Sequence, residues 1–198
     1  MDVLVLESDP GAAELAVALL NAAGHQVKRC HEPGARAFPC VALGSGRCPL
    51  EADSIDVVLT VRGHANPRPS ALEDGVVCAL RHHTPVVVAG STVFNPYEQL
   101  GASLAGPDVV DACEEAAQGR QRAHENVVRR VLRDTLQRAG LPITGVDARV
   151  HRSGAGLRVG LVFPSMTPKP TRDVAAVCVV GAVREFDRDA PRIDISCL

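Results

Sequence analysis

Two patterns of hydrophobic and polar positions divide the chain. In the first half, short unbroken apolar runs alternate with segments whose apolar residues recur at helical spacing. An unbroken apolar run of about four to eight residues is typical of a strand buried on both faces. The alternation therefore predicts a parallel sheet covered by helices on both sides. The predicted strands are residues 3–6, 26–30, 55–61 and 86–89, and the predicted helices are residues 9–23 and 71–83.

The second half has a simpler pattern. Apolar residues at helical spacing predict an amphipathic helix over residues 120–139. Strict alternation on both sides of a glycine-containing turn predicts a β-hairpin over residues 146–163. A strongly apolar helix over residues 172–188 and an alternating strand over residues 193–197 follow. The order α-β-β-α-β predicts a small α+β domain with a three-stranded sheet.

A glycine- and proline-containing stretch separates the two patterns, so we expect an α/β domain over residues 1–106 and an α+β domain over residues 119–198. Charge follows the same division. Before Gly119 there are fifteen acidic and seven basic residues, and from Gly119 onward there are eight acidic and fourteen basic residues. This asymmetry is consistent with two modules that dock on each other, with a basic module that has an acidic partner, or with two surfaces that have drifted apart in charge without a function.

Several function classes are disfavoured by composition. Aromatic residues make up 3% of the chain, too few for a base-stacking platform. The arginine-rich helix at 120–139 lies in neither a helix-turn-helix nor a winged-helix order, so nucleic acid is not an expected partner. No apolar run long enough to span a membrane and no basic leader is visible, so we expect a cytoplasmic protein without a membrane partner. No recognisable catalytic motif is present, so we expect no enzyme activity.

The first 90 residues contain four segments similar to those of response-regulator receiver domains. They are Val3-Leu4-Val5-Leu6-Glu7-Ser8-Asp9-Pro10, Ala23-Gly24-His25-Gln26-Val27, Asp56-Val57-Val58-Leu59 and Thr84-Pro85-Val86-Val87-Val88. The N-terminal half therefore resembles a receiver domain. This resemblance implies a doubly wound parallel sheet of strand order 2-1-3-4-5, with a site at the carboxyl ends of strands 1 and 3.

The residues at that vestigial receiver site do not support phosphotransfer. A receiver needs clustered carboxylates for Mg²⁺ and an aspartate that accepts the phosphoryl group. Here the acidic cluster is reduced to Glu7, Ser8 and Asp9, and the acceptor position falls on Val61. The lysine of the family is also missing. We therefore expect a pseudo-receiver in a non-enzymatic regulatory or scaffold protein that binds another protein, with the second module forming a homodimer.

Cysteine chemistry is the alternative function. Cys30, Cys40 and Cys48 are separated by nine and seven residues, and a loop could return all three to the sheet edge that carries His64. Cys78 on the following helix is a spare ligand. Three thiolates with a histidine or a fourth thiolate complete the coordination shell of zinc or of an iron–sulfur cluster. The same residues could instead be small buried or free thiols.

The three remaining cysteines receive structural interpretations. Cys178 lies in a helix that is apolar almost all round and is expected in the core. Cys197 shares a strand face with two isoleucines and is expected in the core or in a contact between subunits. Cys113 stands beside two glutamates and is expected on a helix surface.

Overall fold

The computed structural model describes the whole chain except residues 32, 33, 35, 54, 92, 154, 155, 189 and 191. It contains two compact units, Met1–Gln118 and Gly119–Leu198. The first unit contains β1 (Asp2–Glu7), α1 (Glu14–Ala22), β2 (Gln26–Arg29), α2 (Val41–Ser45), α3 (Pro49–Ala52), β3 (Val57–Arg62), α4 (Gly75–Arg81), β4 (Val86–Gly90), β5 (Ser103–Leu104) and the start of α5 (Val109–Arg138). The second unit contains the rest of α5, followed by β6 (Asp147–Ser153), β7 (Gly156–Val162), α6 (Lys169–Phe186) and β8 (Ile193–Cys197).

The first unit is built on a five-stranded sheet of order β2-β1-β3-β4-β5, in which every pair of neighbouring strands is parallel. Helices α1 and the start of α5 pack on one face, and α3 and α4 pack on the other. Alternate residues of β1 and β3 supply both cores, which explains the unbroken apolar runs. The predicted parallel sheet with helices on both sides is confirmed.

Three local expectations differ from the structure. The proline- and glycine-rich stretch before β3, expected as a loop, contains the short helices α2 and α3. Each is only about one turn long; α2 includes Gly44, and α3 begins with Pro49 at a position where proline is tolerated. The helix predicted at 71–83 divides into a 3₁₀ turn, Ala71–Glu73, and α4. The helix expected to begin at residue 120 is the continuation of α5, because one internal glycine costs a helix only about 1 kcal/mol.

The second unit pairs β6 with β7 antiparallel and β7 with β8 parallel. The latter part of α5 and helix α6 pack against the apolar side chains of this three-stranded sheet. The core consists of residues from all five elements, including Val128, Leu132, Leu136, Ala148, Val150, Val159, Leu161, Ala175, Val179 and Val183.

Two cysteine expectations are wrong, because Cys178 is exposed and Cys113 is fully buried. Cys197 is exposed and lies outside the core, so its alternative role in a contact between subunits stays a prediction. Helix α6 turns Ala175, Val179 and Val183 toward the core, and Cys178 lies about 100° away from Val179 around the helix. Cys113 lies one turn after Val109 on the face of α5 that packs against the parallel sheet.

Within the described part of the chain, no helix is both long and apolar enough to cross a membrane.

Candidate functional site

Glu7 ends β1 and holds the start of the following helix. Its Oε2 atom accepts hydrogen bonds from the backbone N–H groups of Gly11 at 3.1 Å and Ala13 at 3.2 Å. The same carboxylate oxygen lies 3.9 Å from a guanidinium nitrogen of Arg29. A carboxylate in this position satisfies otherwise unpaired N–H groups before α1 and opposes the helix dipole. The Glu7 carboxylate is therefore engaged in hydrogen bonds and an ion pair within the fold.

Asp9 and Ser8 form a second small network at the same edge of the sheet. The Ser8 hydroxyl donates to Asp9 Oδ2 at 2.6 Å, and the backbone N–H of Gly63 donates to Ser8 Oγ at 2.9 Å. His64 Nδ1 lies 3.2 Å from Asp9 Oδ2. The hydrogen bond from Ser8 lowers the pKa of the Asp9 carboxyl. Burial raises this pKa by a smaller amount, and His64 lowers it further. The structure thus places His64 beside Asp9 and not among the cysteines.

The end of β3 carries an aliphatic residue and then a buried cation. Val61 pairs with Glu7 across the sheet and is almost fully buried. Arg62 follows it, with Nε 3.2 Å from Glu73 Oε1. Thr60 Oγ1 also donates to Glu73 Oε1, at 3.1 Å. The sequence analysis missed this pair, although a charged residue directly after an unbroken apolar run was a visible signal.

The Arg62 guanidinium also fixes two loops. It donates to the carbonyl oxygens of Phe94 and Arg68, each at 2.9 Å. Tyr97 is buried nearby, and burial together with the Glu73 carboxylate raises the pKa of its phenol above the ordinary range. The carboxyl edge around β3 is therefore closed by internal ion pairs and hydrogen bonds.

A pocket of about 280 Å³ lies between the end of β2, the start of α4 and the segment that contains α2 and α3. Four cysteines from separate elements line it. Cys30 follows β2, Cys40 and Cys48 directly precede α2 and α3, and Cys78 lies on α4. The other lining residues are His31, Ala37, Phe38, Ala42, Leu43, Pro49, Leu50, Asp74 and Gly75. Four of the five predicted ligand residues therefore share one pocket, and His64 is not part of its lining.

The thiols of this pocket are close enough to influence one another. Burial raises the pKa of the Cys30 thiol to about 12, and the neighbouring Cys48, Cys78 and Cys40 add to the shift. Burial and Cys48 likewise raise the pKa of Cys78. A methyl group added at Gly75 would lie 3.1 Å from Cys30 Sγ, so the absence of a side chain there leaves room for the thiol.

The four thiols share the pocket without forming a coordination shell. Among the residues that the structure describes, no three histidine, cysteine, aspartate or glutamate side chains are grouped closely enough to hold a metal ion. The zinc or iron–sulfur interpretation therefore stays a prediction.

The second unit contains a buried polar cluster that the sequence analysis also missed. Asp187 Oδ2 lies 2.9 Å from His124 Nε2, 3.2 Å from Arg152 Nη2 and 3.3 Å from Arg120 Nη2. His124 Nδ1 lies 2.9 Å from the carbonyl oxygen of Arg120. Both ring nitrogens thus lie within hydrogen-bond distance of an oxygen atom.

Asp187 remains ionised in this cluster. Burial alone would raise the pKa of its carboxyl, but the hydrogen bond from His124 and the charges of Arg120 and Arg152 outweigh burial and lower the pKa to about 2. The cluster connects α5, β6 and the end of α6 within the second unit. All three contacts are made to Asp187 Oδ2, whereas Oδ1 is buried without a hydrogen-bond partner among the described residues. The cluster has a structural role, since it holds the three elements together.

No protein-family model and no curated protein matches the chain. The fold and the side chains of the two units are therefore the basis for inferring its function.

Proposed function

We propose that this chain is a non-enzymatic regulatory or scaffold protein whose first unit is a receiver-like domain that acts without phosphorylation. The strand order β2-β1-β3-β4-β5 supports the receiver-like assignment, because doubly wound domains of this order place their sites at the carboxyl ends of the central strands. Many unrelated functions share that architecture, so the side chains at the edge decide between them.

The observation that carries this proposal is the state of the carboxyl edge. A phosphoacceptor site needs an accessible carboxylate and a Mg²⁺ that neutralises phosphate charge. Here Val61 stands at the acceptor position, Glu7 holds the start of α1, and Glu73 is paired with Arg62. Asp9 is the most exposed of the carboxylates named here, and it accepts a hydrogen bond from Ser8. These groups hold the fold and do not offer a phosphate site.

Treatment of the full chain with a small phosphodonor and Mg²⁺ tests this proposal. We expect the intact mass to remain unchanged, while an active receiver treated in parallel gains a phosphoryl group. An acid-labile adduct on the first unit would overturn the proposal.

The second unit supports self-association through α6. Val174, Val177, Cys178 and Gly181 form an exposed stripe at helical spacing. In an antiparallel pair of α6 helices related by a two-fold axis, Val174 would face Gly181 of the second copy, and Val177 would face its Cys178. The small residues permit close approach of the two helices. We propose a homodimer formed through this stripe, with a further protein as the regulatory partner.

A second candidate function is favoured by the pocket of four cysteines. Residues far apart in the chain bring four thiols to one cavity, and thiolates are the preferred ligands of zinc and of iron–sulfur clusters. This candidate makes the first unit a metal-responsive module.

A further inference from the structure

We propose that Cys30, Cys40, Cys48 and Cys78 bind one thiophilic divalent ion of the zinc class, and that binding closes residues 36–48 over the pocket. This inference rests on the second candidate function. It adds the complete ligand set and a conformational response to the ion.

Two of the four ligands are held by the body of the unit. Cys30 is buried against β1 and α4, where it packs in the same core as Leu6 and Val76. Cys78 is part of α4, whose buried residues anchor it to the sheet. These two thiols define the fixed side of the site.

The other two ligands, Cys40 and Cys48, lie in residues 36–48, the proposed closing wall of the pocket. Cys40 and Cys48 are half-buried and stand at the starts of two helices of five and four residues. This segment contacts the rest of the unit at two points. The Val41 N–H, directly after Cys40, donates to the Cys30 carbonyl at 3.0 Å, and the Leu50 side chain, two residues after Cys48, is buried. Closure would rotate the segment about these two points, next to which both thiols lie.

The lining of the pocket suits a cation. Among the described residues that line it there is no lysine or arginine, and Asp74 is the one acidic side chain. The sulfur ligands select a soft or borderline ion over Mg²⁺ or Ca²⁺, which prefer oxygen. Four thiols match the tetrahedral shell that zinc adopts in structural sites.

Two features indicate that the pocket would have to close around an ion: its volume and the exposure of two apolar side chains that line it. A tetrahedral zinc ion holds its sulfur ligands at about 2.3 Å, much closer than the walls of a cavity of about 280 Å³. Phe38 and Leu43 line the same cavity, and they are 75% and 66% exposed. Closure of residues 36–48 toward Cys30 and Cys78 would bring the four sulfurs together and cover these two apolar side chains.

Two measurements are made on the full chain after its cysteines are reduced and bound metal is removed. The first tests the metal ligands, and the second tests the closure. Titration with Co²⁺ or Cd²⁺ should give sulfur-to-metal charge-transfer absorption that saturates at one ion per chain. Trypsin with and without Zn²⁺ should show cleavage after Arg36 and Arg47 slowed at least tenfold by the ion. Both arginines are exposed and belong to the moving wall, whereas cleavage after the exposed Arg188 of the second unit should be unchanged.

Variants identify the ligands. Cys40→Ser and Cys48→Ser should each lower the affinity at least tenfold and remove the protection, because hydroxyls are poor ligands for soft ions. Both positions are half-buried, so the variants should fold, which circular dichroism checks. Cys178→Ser, at an exposed cysteine of the second unit, should behave as the unsubstituted chain.

Each contrary result has a distinct meaning. Stoichiometric binding with unchanged cleavage overturns the closure and leaves metal binding intact. Failure of the reduced chain to bind Co²⁺, Cd²⁺ or Zn²⁺ overturns both the inference and the second candidate function. Loss of two free thiols in the metal-free chain, detected by mass after alkylation, would show that a disulfide forms there and would overturn the four-thiol ligand set.

Discussion

Arg62 and Glu73 form an ion pair in which each residue is 1% exposed, with Nε 3.2 Å from Oε1. The pair joins the end of β3 to the 3₁₀ turn that precedes α4. Because Arg62 also donates to the carbonyls of Phe94 and Arg68, one guanidinium holds three segments around the carboxyl edge. The carboxyl edge next to Val61 is therefore fixed by the side chain of the residue that follows it.

Substitution of Glu73 by Gln should destabilise the first unit by about 3 kcal/mol or more, because it leaves the Arg62 charge buried without its counterion. Tyr97 is the single tyrosine of a chain that has no tryptophan, and it is buried close to this pair. Its fluorescence during urea unfolding therefore reports on the first unit. As a control in the same unit, Arg47→Met removes a largely exposed pair with Asp53 and should change the free energy of unfolding by less than about 1 kcal/mol. Equal effects of the two substitutions would contradict the role given to Arg62 and Glu73.

Substitution of Asp187 by Asn should destabilise the second unit by about 3 kcal/mol, because Arg120, Arg152 and His124 would lose the carboxylate that all three contact. Far-UV circular dichroism during urea unfolding measures the change. Asp194→Asn is the matched control, since Asp194 forms an exposed pair with Arg192 and should contribute almost nothing. A small effect at Asp187 would show that the buried cluster does not hold α5, β6 and α6 together.

Acid should remove the contribution of Asp187 over a defined range. The pKa of its carboxyl is lowered in the folded chain from the ordinary 3.8 to about 2, so the folded state favours the ionised carboxyl. The stabilisation is present above about pH 4 and is lost as the pH falls toward 2. Its size is about 2 kcal/mol, from about 1.4 kcal/mol per pKa unit. Urea unfolding of the unsubstituted chain and of Asp187→Asn at pH 5 and at pH 2 should show a difference that shrinks at the lower pH.

Substitution of Val177 by Asp should dissociate the proposed homodimer, because it would bury a carboxylate at the centre of the α6 contact. Sedimentation velocity of the full chain should show a dimer that becomes a monomer in the variant. Val93→Asp is the control, because Val93 in the first unit is 75% exposed and Val177 is 73% exposed. A monomeric unsubstituted chain, or dissociation by both substitutions, would contradict the α6 contact.

The buried strands were predictable because a strand covered on both faces has an unmistakable local pattern. Val57–Arg62 is buried at every position, and its apolar run is visible in the sequence. Helix α6 shows the opposite case. Its residues are apolar on nearly all sides, so the sequence could not indicate that Cys178 faces outward.

The side-chain clusters were harder to predict because their members are distant in sequence. Arg62 and Glu73 are eleven positions apart, and His124 and Asp187 are 63 positions apart. Only the folded backbone brings such residues together, and a lone charged residue carries no sign of its partner. The cysteines could be predicted as one candidate site because thiols are rare enough to be considered together. His64 was included as a ligand only because it follows the predicted end of a strand.

Gly75, at the start of α4, lines the pocket and leaves a small volume next to Leu6 and Cys30. An added Cβ there would lie 2.8 Å from Leu6 Cδ2 and 3.1 Å from Cys30 Sγ, so a thiol at position 30 and a side chain at position 75 compete for the same space. Across chains descended from a common ancestor, these two positions should therefore change together. A chain that keeps cysteine at position 30 should keep glycine at position 75, whereas one that has gained a larger residue at position 75 should have lost the cysteine. Joint retention of the two residues would mark the descendants in which the pocket has been maintained by selection.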